Sequence, residues 1–144
     1  GASIILITHD ILAALHIADR IAIFYAGSTL EIANNKDFEG TGENLRHPYT
    51  KALWTALPEN GFQPIPGSQP SPLQLPEGCL FHDRCHHCDE SCIKARPLSE
   101  QMDGGLVRCH KATLIHEHVH SHGGVSHSHK HAHIEGEEEH IHGA

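Results

Sequence analysis

Residues 3–7, Ser-Ile-Ile-Leu-Ile, form an unbroken apolar run rich in β-branched residues. That is the pattern of a buried strand in a parallel sheet. Thr8-His9-Asp10 follows, with Asp10 placed to cap a helix over 11–19. Ile11, Leu12, Leu15 and Ala18 then share one helical face. Residues 20–25 read as a second strand, Ala26-Gly27-Ser28 as a turn, and 29–32 as the returning strand. Gly27 supplies the backbone freedom such a hairpin needs. Residues 33–46 are polar and loop-like, with room for a short helix. Pro48 suits a first helical turn, and Tyr49 to Leu57 reads as helix until Pro58 ends it. Tyr49, Leu53 and Leu57 recur at i, i+4 and i+8, so this helix should dock on something. Strand, helix, hairpin and helix are α/β in character. The piece is too small to close a sheet of its own, and a partner half is expected upstream.

Composition divides the rest of the chain. Residues 59–76 are rich in Pro, Gly and Gln, residues 77–110 hold all five Cys, and 111–144 are mostly His, Glu and small residues. The formal net charge of −8 argues against nucleic-acid binding, which usually needs a basic face. No stretch approaches the roughly 20 apolar residues of a membrane span. A charged start followed by an apolar run, the mark of a signal peptide, is not seen. Residue 1 is Gly rather than Met, so the start of the gene product is expected to lie elsewhere. Without a secretory signal, crowded cysteines favour a reducing compartment and a metal site over disulfides.

Two runs carry more than periodicity. These are Ile4-Ile5-Leu6-Ile7-Thr8-His9-Asp10 and, further on, Ala18-Asp19-Arg20-Ile21-Ala22-Ile23-Phe24-Tyr25-Ala26-Gly27. A lone Thr-His-Asp triplet would be no more than a strand-to-helix turn with a capping role. Together the two runs closely resemble the switch-histidine region of ABC transporter ATPases. The resemblance implies that His9 contacts the γ-phosphate of ATP and senses its presence. The chemistry is sound, because an imidazole at a strand end can donate to a phosphate oxygen and help position attacking water.

His47-Pro48-Tyr49-Thr50-Lys51-Ala52-Leu53 resembles the segment that opens the C-terminal extension of oligopeptide, dipeptide and nickel importer ATPases. His47 and Tyr49 are expected to be architectural there. Ile65-Pro66-Gly67, Pro72-Leu73, Leu75-Pro76-Glu77-Gly78-Cys79, Phe81 and Arg84-Cys85 continue the likeness, as a Pro-rich strap leading into a cysteine motif. On that match the family cysteines fall on Cys79, Cys85, Cys92 and Cys109, separated by five, six and sixteen residues. The resemblance implies an iron–sulfur cluster. Four thiolates equally suit a [4Fe–4S] cluster or tetrahedral zinc, and spacing does not choose between them. Cys88 departs from the pattern by creating Cys85-His86-His87-Cys88, a zinc-chelate spacing, or else it is a spare thiol. Asp83 stands where many relatives carry Pro.

In the tail, His116, His118, His120 and His122 alternate, as do His127, His129, His131 and His133, and His140 pairs with His142. Alternation along an extended chain puts such residues on one side, about 7 Å apart. Neutral imidazole favours nickel, zinc, copper and cobalt over magnesium or calcium. Composition also fits a disordered low-complexity tail with only incidental metal binding.

The sequence holds no G-x-x-x-x-G-K-[ST] phosphate loop, no strand ending in Asp-Glu and no Ser-Gly-Gly-Gln segment. The expectation is therefore an α/β chain in three parts. Residues 1–46 are the incomplete C-terminal part of an ABC ATPase domain, 47–110 the cysteine-bearing extension, and 111–144 a disordered His-rich tail. The complete protein would use ATP and Mg to power import of peptides, or of nickel or a related metal. It would work with transmembrane permease subunits and a second ATPase subunit, and indirectly with a substrate-binding protein. Its place would be the cytoplasmic face of the cell membrane, and the segment alone should not turn over ATP. The rival reading is a stand-alone metal-binding or storage protein built on the Cys cluster and the His tail.

Overall fold

Asp10 caps the first helix as its position predicts: its Oδ1 accepts the Ala13 N–H at 3.0 Å. The helix, α1, runs Ile11–Ile17, two residues shorter than expected. The computed structural model describes residues 1–113 and the backbone of 117–122 and 125–130. The apolar run before the helix is not the expected strand. Residues 3–7 have no regular structure, and Ile4, Ile5 and Ile7 are 90, 91 and 93% exposed. A parallel strand needs neighbours along its edges and cover on both faces, and among the described residues none pairs with it.

Strands β1, Arg20–Tyr25, and β2, Ser28–Asn34, form the expected hairpin. Its two-residue turn puts both Ala26 (φ 46°) and Gly27 (φ 79°) in the left-handed region, as a turn matched to strand twist requires. β1 alternates strictly, with Ile21, Ile23 and Tyr25 buried. β2 does not. The register slips between Ile23 and Phe24, whose partners are Glu31 and Thr29. Leu30 is the extra residue of a β-bulge, so consecutive Leu30 and Glu31 are both buried.

A 3-10 turn, Asn35–Asp37, follows β2. The Asn35 side-chain amide donates to the carbonyls of Leu15 and Ala18 at 2.6 and 2.8 Å, satisfying the open end of α1. Helix α2 spans Pro48–Thr55. It docks as its period predicts, with Tyr49, Leu53 and Leu57 packed on a core of Ile21, Ile23, Ala33, Phe38, Leu45 and Trp54. Ile11, Ala14, Leu15 and Ala18 of the α1 segment pack on the same core.

After α2 come the Pro-rich strap, a short helix α3 (Glu90–Lys94), and strands β3 (Glu100–Met102) and β4 (Gly105–Val107). The four strands make one antiparallel sheet in the order β1-β2-β4-β3, so the cysteine-bearing segment folds back on the hairpin edge. Only Gly fits at position 105, because a Cβ there would strike the Ile32 carbonyl. This small sheet with its helices is compatible with the C-terminal part of an α/β ATPase domain. Within the stretch expected to be disordered, β5 (Glu117–His122) and β6 (Val125–Lys130) pair as a separate antiparallel sheet. His116, His131, His133, His140 and His142 lie outside the described residues.

Candidate functional site

The second core cluster collects Tyr25, Leu30, Cys79, Leu80, Phe81 and Cys92, with Cys85 and Cys88 packed against it. Three rings frame it. Tyr25, Tyr49 and Phe81 lie with centroids 4.6 to 5.5 Å apart, and Tyr49 also reaches the first core. Such aromatic contacts are worth more than their area alone.

Cys79, Cys92 and Cys109 are each held by specific contacts. Cys79 and α3 are tied by the Cys79 N–H donating to the Cys92 carbonyl at 2.7 Å. Gly78 allows that approach, since a Cβ at this position would collide with the carbonyls of Cys92 and Ile93. Asp89 caps α3: its Oδ1 accepts from the N–H groups of Ser91 at 2.9 Å and Cys92 at 3.4 Å. The other oxygen of Asp89 pairs with Lys111. Lys111 in turn donates its N–H to the Cys109 sulfur at 3.4 Å. Asp89 thus links the Cys92 helix to the segment carrying Cys109, which β4 delivers: the Arg108 N–H bonds the Leu30 carbonyl at 2.8 Å.

Two arginines lace the strap over this cluster. The Arg84 guanidinium donates to the carbonyls of Pro66 (2.8 Å) and Ile65 (3.1 Å) and to the Tyr25 hydroxyl (3.1 Å). Arg96 holds the carbonyls of Pro76 and Gly78 at 2.6 and 3.4 Å. Planar forks of this kind suit segments that offer carbonyls and no ladder.

Burial is the main reason the thiols of Cys79, Cys85 and Cys88 titrate above their ordinary value, and neighbouring thiolates add to it. For Cys109 the same causes push the value up to about 12. All five cysteines are free. Cys79, Cys85, Cys88 and Cys92 share one core cluster. Even so, among the described residues no three His, Cys, Asp or Glu side chains are drawn together as a metal-binding group.

Under α2 lies a buried ionic knot that sequence reading missed. Glu31 is 1% exposed and accepts from the N–H of Arg46 and of His47, each at 2.9 Å. Arg46 also pairs with Glu31 at 3.4 Å and with Asp37 at 3.2 Å, and reaches the Asp103 carbonyl at 3.0 Å. His47 is the N-cap of α2, its Nδ1 accepting the Tyr49 N–H at 2.9 Å. Its Nε2 is buried, and the Arg108 backbone is a polar neighbour of the ring. Desolvation holds the ring neutral, with its pKa lowered to about 3. The one trace of this knot in the sequence is Glu31 beside Leu30, Ile32 and Ala33, and only the strand pairing turns it inward. The signal for the Asp89 cap was Asp-Glu-Ser ahead of a short helix.

His9 sits apart from both groups, exposed in the bend between the apolar run and α1. The cysteines and His9 are not brought together.

Residues 30–92 match the family model described as oligopeptide/dipeptide transporter, C-terminal region. Over 120 residues the chain is 34% identical to the oligopeptide transport ATP-binding protein OppF of Haemophilus influenzae, covering 77% of this chain and 35% of that protein. It is 39% identical to the oligopeptide transport ATP-binding protein OppD of Escherichia coli, covering 77% of this chain and 34% of the other. A third relative is the dipeptide transport ATP-binding protein DppD of Caldanaerobacter subterraneus, 38% identical over 75% of this chain and 34% of its own length. The chain spans about a third of the length of these relatives. With a peptide-transporter C-terminal region at its centre and ATP-binding proteins aligned over three quarters of its length, the chain belongs to the ATP-binding-protein family of oligopeptide and dipeptide importers.

Proposed function

We propose that this chain is part of the ATP-binding subunit of an importer that takes up peptides. The observation that carries this reading is the run of oligopeptide and dipeptide transport proteins among its relatives, at 34–39% identity. Nickel or a related metal is the second cargo, favoured only by the His-rich residues after 115. In the complete subunit ATP and Mg bind, two ATPase subunits close on each other, and closure drives the transmembrane permease subunits. His9 acts at that step, on the γ-phosphate. Hydrolysis is a property of the complete subunit, because the phosphate loop that supplies most donors to the phosphates is not in this sequence. The subunit would work at the cytoplasmic face of the membrane. No helix among the described residues is long and apolar enough to cross it.

Cys79, Cys85, Cys92 and Cys109 are the residues that would hold a [4Fe–4S] cluster or a zinc ion, with Cys88 as a fifth thiol. Soft thiolates suit either group. When bound, it would cross-link the strap, α3 and the end of β4 in a compartment where disulfides are rare.

Two measurements test the reading. The complete subunit, assembled with its permease in vesicles, should show ATP hydrolysis stimulated by peptide. Stimulation by nickel and by no peptide would replace the first cargo with the second. Anaerobic purification should give either a brown protein absorbing broadly near roughly 400 nm or a colourless one holding one zinc. A preparation without metal or iron would end the cysteine proposal.

A further inference from the structure

The two His runs of the tail look independent in sequence, but the backbone pairs them. The register sets His118 opposite His129 and His120 opposite His127, with His122 opposite Val125. Positions two apart on a strand share a face, and so do positions directly opposite in an antiparallel pair. One face of the hairpin therefore carries His118, His120, His122, His127 and His129, with Val125. The other face carries Glu117, Val119, Ser121, Ser126, Ser128 and Lys130, and no His.

We propose that this face, where His positions of both strands meet, is a metal site distinct from the cysteines that takes one borderline divalent cation of the zinc or nickel class. Opposite residues in such a ladder are about 4.5–5.5 Å apart at Cβ, and same-strand alternates about 7 Å. Two cross-strand pairs thus bring four His positions together on one face. Imidazole suits zinc, nickel, copper and cobalt, while magnesium and calcium prefer oxygen. A two-stranded hairpin alone is marginal in water. A cation bridging the strands adds its binding energy to the pairing, as in small domains whose folding is tied to metal. The site depends on the hairpin register and not on the transport reading.

Composition and register can be separated by experiment. Ser128→His combined with His129→Ser keeps every residue count and moves one imidazole to the opposite face. Zinc is titrated calorimetrically into the full chain, this swap, and a control with His140→Ala and His142→Ala. The full chain should bind one tail equivalent more tightly than the rest. The swap should weaken that equivalent by roughly 10–100-fold or more, and the control should leave it unchanged. Cobalt reports the ligands: the tail equivalent should show d–d bands without thiolate charge transfer. Nickel should broaden the amide resonances of 117–122 and 125–130 before others. Equal isotherms for the parent and the swap, or a control as damaging as the swap, would overturn the site and leave only binding by composition.

Discussion

Oε2 of Glu31 accepts the backbone N–H of His47 at 2.9 Å, tying a strand bulge to the cap of the next helix. The same carboxylate accepts the Arg46 N–H and faces the Arg46 guanidinium. Removing Glu31 leaves two buried N–H groups without their acceptor and Arg46 with Asp37 as its remaining counter-charge, and breaking a buried network in this way is strongly destabilising. Glu31→Ala should therefore destabilise the chain by about 3–5 kcal/mol. A urea midpoint within 1 kcal/mol of the parent, at an unchanged slope, would remove the knot from the account of stability.

The neutral ring of His47 gives stability a pH dependence with a definite sign. Its folded pKa is about 3, while an unfolded His titrates near 6.5. Between those values the unfolded chain binds a proton that the folded chain does not. This contribution is complete above about pH 6.5 and falls as pH drops toward 3, by up to about 1.4 kcal/mol per unit. His47→Asn keeps a capping oxygen without a titrating ring. It should flatten the stability profile between pH 7 and 5, read from urea midpoints at each pH.

Much of this was legible in the sequence, and the reasons are local. Asp10, the Ala26-Gly27 turn and the Pro48 helix start each declare themselves within a few residues, and each forms where the pattern puts it. Residues 3–7 carried an equally strong pattern and do not form a strand. A strand is made by its neighbours, and periodicity records the demand for them without supplying them. Glu31 was illegible for a related reason: the bulge that turns it inward is a property of the pairing of β1 with β2. In the tail, low complexity pointed to disorder, and the face that β5 and β6 share comes from their register, which composition does not record.

Gly78 is the residue whose replacement should disturb the thiols most directly. Any Cβ there meets the Cys92 and Ile93 carbonyls, and backbone cannot swing aside. Gly78→Ala should cost about 1–3 kcal/mol by overpacking. It should also open the cluster, so that Cys79 and Cys92 react faster with a thiol reagent than in the parent. Unchanged labelling rates would show that the Cys79–Cys92 contact does not shield them.

His9 is tested in the complete ATPase. Losing one positioned group at a reacting phosphate costs on the order of 10²–10³ in rate. His9→Ala should cut hydrolysis by that factor and leave ATP binding nearly intact, measured by turnover and by nucleotide titration. Near-normal turnover would return His9 to a turn residue.

The pairing of β2 with β4 has a consequence for the order of synthesis. Glu31 and Ile32 meet Val107 and Leu106, partners separated by more than seventy residues of chain. At about 5–20 residues per second, translation supplies the second strand roughly 4–15 s after the first. Over that interval the nascent hairpin has an open edge, and Cys79, Cys85, Cys88 and Cys92 emerge before Cys109. The thiols are thus first presented to the cell one by one, on a chain not yet able to bury them.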